Sequence, residues 1–173
     1  MKQISNKKEF NNIINEIITN SKVQEMKLYL QHCDTSTYEH CYNAAYYCYK
    51  ICKKLKLDYK SATRAAMLHD FYLYDWHVKD KTRKLHAFAH GKIAYNNACK
   101  IFPLNDKEKD IITNHMWPVT ISIPKTREGI ILTLVDKYCA LKESYNYYSG
   151  KVVSKKILRY ASFLLLAFVV RIP

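Results

Sequence analysis

Ala65-Ala66-Met67-Leu68-His69-Asp70 runs small and apolar side chains up to an adjacent histidine and aspartate, and a loop of aromatic and charged residues, Phe71 to Lys84, follows. A buried helix giving way to a loop brings imidazole and carboxylate together at the mouth of a pocket. Side by side they are two ligands for a divalent metal. A lone His-Asp pair is more often an accident of composition, so its meaning depends on the segments around it.

Those segments read as helices. From His40 the positions Ala44, Cys48, Ile51 and Leu55 trace one stripe of a 3.6-residue period, with Ser36 and Glu39 placed as a capping box before it. Asp58 or Ser61 caps the helix that carries His69. His90 opens a helix that runs to about Phe102, with Ile93 and Ala94 on its inward face, and His86 precedes it. Asn105 with Glu108 caps a helix from Asp106 to His115, where Ile111 and Ile112 put His115 on an apolar face. Asp136, in a helix from Arg127 to about Glu143, has Leu132, Thr133, Cys139 and Ala140 as neighbours, and a bare carboxylate there needs a cation or strong donors.

The N-terminal 34 residues read as a helical layer, Lys7 to Thr19 and Ser21 to Gln31, with Ile13, Ile14, Ile17 and Ile18 on one face. Residues 151–173 end in the apolar run Phe163 to Val170, too short for the ~20 residues a bilayer span requires, and read as a buried helix. The expectation is an all-α chain of about seven helices, without a convincing strand, forming one domain over residues 1–173.

Composition narrows the partners. With 28 basic against 15 acidic residues the chain carries a formal charge of +13, which favours an anionic partner. No Arg-rich arm, aromatic nucleic-acid-binding strand or zinc-finger spacing accompanies it, so nucleic acid and membrane are not the expected partners. Cys33, Cys41, Cys48, Cys52, Cys99 and Cys139 show no CxxC spacing. Reduced core cysteines and a polar N-terminus fit a cytoplasmic protein. The apolar C-terminus could also cover a homodimer contact.

Taken singly, His40 reads as a core histidine bonded to a carbonyl, and Asp136 as half of a buried salt bridge; His90 is the candidate of its helix, with His86 in reserve. Taken together with His69-Asp70, His40, His90, His115 and Asp136 are several inward-facing polar groups in one small core, which a shared metal centre satisfies. The order His, His-Asp, His, His, Asp on helices resembles the HD superfamily of metal-dependent phosphohydrolases over roughly residues 35 to 145. Its layout is similar to that of bacterial diadenosine tetraphosphate hydrolases of that superfamily.

The resemblance implies His40, His69, Asp70 and Asp136 as the defining metal ligands, with His90 and His115 as the extra histidines of two-metal members. It also implies Asp70 as the catalytic residue bridging the ions. One or two divalent ions, Fe, Mn, Co, Ni or Zn, suit such imidazole and carboxylate donors. The implied activity is cleavage of a phosphate ester or anhydride of a nucleotide, or another small phosphorylated molecule, through a metal-activated water. The alternative is a non-catalytic nucleotide-binding or regulatory module of the same fold. Where many members carry a lysine three residues after the aspartate, this chain has Leu73. Phosphate contact is therefore expected from Lys79, Lys81, Arg83, Lys84 or Lys92, and Asp75 or His77 is a candidate proton donor.

Overall fold

The capping box foreseen at Ser36 forms: its hydroxyl accepts from the Glu39 amide, and the Glu39 carboxylate accepts from the Ser36 amide. Two otherwise orphaned amides are satisfied, which contributes on the order of 1 kcal/mol. From this cap the central helix runs over Thr37–Lys54. A computed structural model of the chain describes residues 2–78 and 86–149. Numbered in chain order, its helices are α1 (Lys2–Ile18), α2 (Ser21–Gln24), α3 (Thr37–Lys54), α4 (Tyr59–Leu68), α5 (His86–Ala98), α6 (Asp106–Asn114) and α7 (Arg127–Tyr148). The expectation for residues 151–173 falls outside the described residues.

Small buried side chains decide how closely these helices pack. Cys41, Ala44, Ala45, Cys48 and Cys52 of α3 face Ala62, Ala65 and Ala66 of α4, all without exposed surface. Short side chains bring two helix axes near the lower end of their usual separation. Leu55, the last residue of the foreseen stripe, is the helix C-cap and is exposed. Against the pair lies α1, whose Phe10 ring meets Tyr42, Tyr46 and Tyr49 at centroid distances of 5.4, 5.3 and 5.6 Å. Burying that ring is worth roughly 1.5–3 kcal/mol. Beside it Glu9 accepts from Tyr49 (2.9 Å), Tyr59 (2.8 Å) and Lys53.

The other ends are fixed by polar caps. Asp58 caps α4 through the Ser61 amide, and Asn105 forms a capping box with Glu108 at α6. Glu108 is buried and takes a 2.7 Å bond from Arg64 on α4, which ties the start of α6 to α4. Thr126 caps α7 by accepting from the Gly129 amide.

The expectation of helix through Ser21 to Gln31 is corrected. Only Ser21–Gln24 is α-helical, a 3-10 turn covers Glu25–Leu28, and Leu30–His32 (β1) pairs antiparallel with Thr35–Ser36 (β2). Cys33 makes the reversal with φ 55°. This hairpin delivers Gln31 and His32 to the N-terminal side of α3, over the start of the site.

Candidate metal centre

Five helices each bring a polar group to one place. His40 stands in the first turns of α3, His69 is the C-cap of α4 with Asp70 next, His90 lies in α5, His115 is the C-cap of α6, and Asp136 sits midway along α7. All six are buried, none more than 8% exposed. Helix ends supply two of them because a C-cap residue is the last that packing still holds before the chain turns away.

Each histidine is oriented from behind. The Nδ1–H of His69 donates to Ala66 O at 2.7 Å, that of His90 to His86 O at 3.0 Å, and that of His115 to Ile112 O at 2.7 Å. A carbonyl only accepts, so Nδ1 carries the proton and Nε2 of each ring keeps its lone pair inward. His40 follows the same pattern with a carboxylate: its Nδ1 donates to Glu143 Oε2 at 2.9 Å, while Nε2 lies 3.0 Å from Asp136 Oδ1.

The inward atoms fall into two groups that share Asp70. His40, His69, Asp70 and Asp136 form one, and Asp70, His90 and His115 form the other, with their ligand atoms within 4.8 Å of one another in each. Asp70 Oδ2 lies 3.3 Å from His69 Nε2, whereas Oδ1 lies 3.2 Å from His90 Nε2 and 3.7 Å from His115 Nε2. Gln31 Nε2 donates to Oδ2 at 2.6 Å, and Gln31 is in turn held by Tyr72 and Thr37.

The protein alone leaves this arrangement short of positive charge. His69 Nε2 and Asp70 Oδ1 are buried with no hydrogen-bond partner. His90 Nε2 and His115 Nε2 face each other at 2.9 Å although both Nδ1 atoms already donate elsewhere. Two inward lone pairs at that distance repel unless a proton or a cation lies between them. Without a cation the protons are shared unequally. Burial and then His69 and His90 lower the His115 pKa to about 3, whereas the carboxylate of Asp70 outweighs burial and raises that of His90. His40 is pushed up to about 10, because Asp136 and Glu143 overcome the burial that opposes its charge. Asp70 and Asp136 are held below the carboxylate range despite burial, Asp70 mainly by His69 and Asp136 mainly by His40. Inward lone pairs, anionic carboxylates and orphaned polar atoms are what a divalent ion would satisfy.

The HD domain family matches residues 37–141. The chain belongs to the HD domain family. HD domain proteins make up a superfamily of metal-dependent phosphohydrolases and bind divalent metals. No curated protein and no solved structure matches the chain.

Within this HD domain the centre opens into a cavity of about 300 Å³ whose walls include His32, Trp76, His86, Met116, Val119 and Lys137. A larger cavity, about 540 Å³, lies along α3 and α7, reaching Glu143 but none of the six centre residues. His86, expected to precede its helix, is in the first turn of α5 and stacks on His90 with ring centroids 4.7 Å apart. Burial, then His90, lowers its pKa to about 4. Lys92 is exposed on α5 and does not line the cavity; Lys79, Lys81, Arg83 and Lys84 fall outside the described residues. Asp75 and His77 pair with each other at 3.0 Å on the surface. Sequence reasoning missed Gln31 and Glu143, the two polar groups that hold Asp70 and His40. Glu143 follows Asp136 by two helical turns on the same face of α7, a signal that was present; Gln31 gave none.

Proposed function

We propose that this HD domain protein hydrolyses a phosphate ester or anhydride of a nucleotide or another small phosphorylated molecule. The observation that carries this reading is the sharing of Asp70: one oxygen faces the His40 and His69 group, the other the His90 and His115 pair. Divalent ions held there supply Lewis acidity toward a phosphoryl oxygen and lower the pKa of water. In this reading His40, His69, Asp70 and Asp136 hold one ion, and Asp70, His90 and His115 a second. The donor set suits Fe, Mn, Co, Ni or Zn better than Ca.

The chain's own part is orientation and exclusion of water. The outward Nδ1 bonds fix each imidazole before metal arrives, Gln31 fixes the Asp70 carboxylate, and the buried floor leaves the cavity as the approach to the centre. The net charge of +13 supports an anionic substrate, and six unpaired cysteines fit the reducing cytoplasm. No helix among the described residues is long and apolar enough to cross a membrane.

The test is metal analysis of the purified protein together with phosphate release from a panel of nucleotides and dinucleoside polyphosphates. Bound transition metal and turnover of some panel members, both lost in Asp70→Ala, are expected. A protein that binds nucleotide tightly with any of these metals but never releases phosphate would be the non-catalytic module instead.

A further inference from the structure

Lys137 is the one lysine or arginine among the described residues that line the 300 Å³ cavity. It follows Asp136 directly, and adjacent helix positions diverge by about 100°. Its ammonium therefore flanks the ligand set and does not join it. The side chain is half-buried, and among the described residues its Nζ donates to Thr133 O alone, at 3.2 Å, one turn back along its own helix. Other partly buried lysines here have built partners: Lys107 has Asp58 and Glu128, Lys53 has Glu9 and Asn6, and Lys142 has the Tyr47 hydroxyl. An ammonium has three donors, and one carbonyl among the described residues leaves its bonding capacity largely open to a ligand in the cavity. Beside it the wall divides: Gln31, His32 and His86 are its other polar side chains outside the centre, Gln31 already bonded to Asp70 and His86 stacked on His90, whereas Trp76, Met116, Val119 and Ala140 make an apolar and aromatic side. Trp76 lies parallel to His86, with an interplanar angle of 8° and centroids 5.4 Å apart, and His86 continues the stack to His90.

We propose that Lys137 contacts the phosphate oxygens of the substrate and that the substrate's organic part is aromatic or apolar, lying along the wall formed by Trp76, Met116 and Val119. This rests on the phosphohydrolase reading and deepens it. A phosphate lodged between Lys137 and the Asp70 centre places its ester substituent towards that wall. Polyhydroxylated phosphates would lose hydrogen bonds to water against these side chains without replacement, whereas a planar base or ring would not.

The probes are inorganic phosphate and phenylphosphonate, whose carbon–phosphorus bond resists hydrolysis, titrated calorimetrically into the purified full-length protein with its metal. Lys137→Gln is expected to weaken both about ten- to a hundredfold, the usual range for losing a bond to a charged group. Lys137→Arg recovers part of the loss, and metal content stays at the wild-type level in both variants. Trp76→Ala is expected to weaken phenylphosphonate by about fivefold or more, as for lost ring stacking, and to leave phosphate unchanged.

Wild-type phosphate affinity in Lys137→Gln, or loss of metal along with affinity, overturns the assignment of Lys137. Equal weakening of both probes by Trp76→Ala overturns the apolar wall as the seat of the organic part, and a wild-type protein that binds neither probe overturns both. Metal content and nucleotide turnover of the wild type report separately on the phosphohydrolase reading. A protein that turns over nucleotides while Lys137→Gln binds phosphate normally keeps that reading and loses this one.

Discussion

Glu143 shows how one side chain outside the ligand set governs one inside it. Its carboxylate accepts the Nδ1–H of His40 at 2.9 Å, which fixes the tautomer and aims Nε2 at the centre. Glu143→Gln keeps an acceptor of the same shape but removes the charge. Metal affinity should fall about 10–100-fold, the range for losing a group that orients a metal-bound histidine, as read by competition with a chelator. Against the burial of His40, Asp136 first and Glu143 second set a pH dependence in the chelated protein. His40 has a folded pKa raised from 6.5 to about 10. Its proton therefore stabilises the fold fully below the ordinary histidine value, and that stability is lost as pH rises through about 10. Thermal unfolding of the chelated protein from about pH 7 to about pH 11 should show this loss, and in Glu143→Gln it should begin at lower pH. Superimposable profiles would remove Glu143 from the account. The inward direction of His40, His90, His115 and Asp136 could be read from helical period, and their meaning came only from the ordered set with His69-Asp70. The partners of those candidates depend on which helices meet, and that information is not local.

Gly91 decides how α5 approaches α6. A Cβ built on it would lie 3.0 Å from both Ile112 O and Thr113 O and 3.5 Å from the His115 ring. Its absence lets the helices close until His90 and His115 stand nitrogen to nitrogen. Gly91→Ala should displace α5, lower stability by about 1–3 kcal/mol as overpacking does, and weaken metal binding at the His90 and His115 pair. Calorimetric unfolding and metal content check this, and an unchanged unfolding temperature would show that the contact gives way without cost. Helices with strong local signals were legible as elements: the capping boxes at Ser36 and Asn105 and the cap at Asp58 stand where their side chains permit them. The hairpin of β1 and β2 was not. A three-residue strand shows no periodicity, and what holds Gln31 in place is Asp70, 39 positions away.

Across the whole molecule the centre is the point at which α3, α4, α5, α6 and α7 meet, and the helices depend on it unequally. The buried side of α3 and α4 is a continuous apolar layer that stands without any ion. By contrast α5 buries only His90, Gly91, Ala94 and Ala98, so little apolar area holds it to the rest. Removing metal should therefore act on α5 first. An ion present at a hundredfold excess over its dissociation constant adds about 2.7 kcal/mol to the folded state, so chelation should lower the unfolding temperature and re-addition of Mn, Fe, Co, Ni or Zn restore it. Hydrogen exchange should locate the effect. Amides of α5 and of the last turn of α6 are expected to gain exchange on chelation, while those in the middle of α3 and α4 keep their protection. The reason is electrostatic as much as steric: without a cation, His90 and His115 are joined at Nε2 through a proton that burial opposes and the Asp70 carboxylate favours on His90. If α5 exchanges no faster in the chelated protein, its small buried residues suffice to dock it, and metal held by His90 and His115 is not what fastens it.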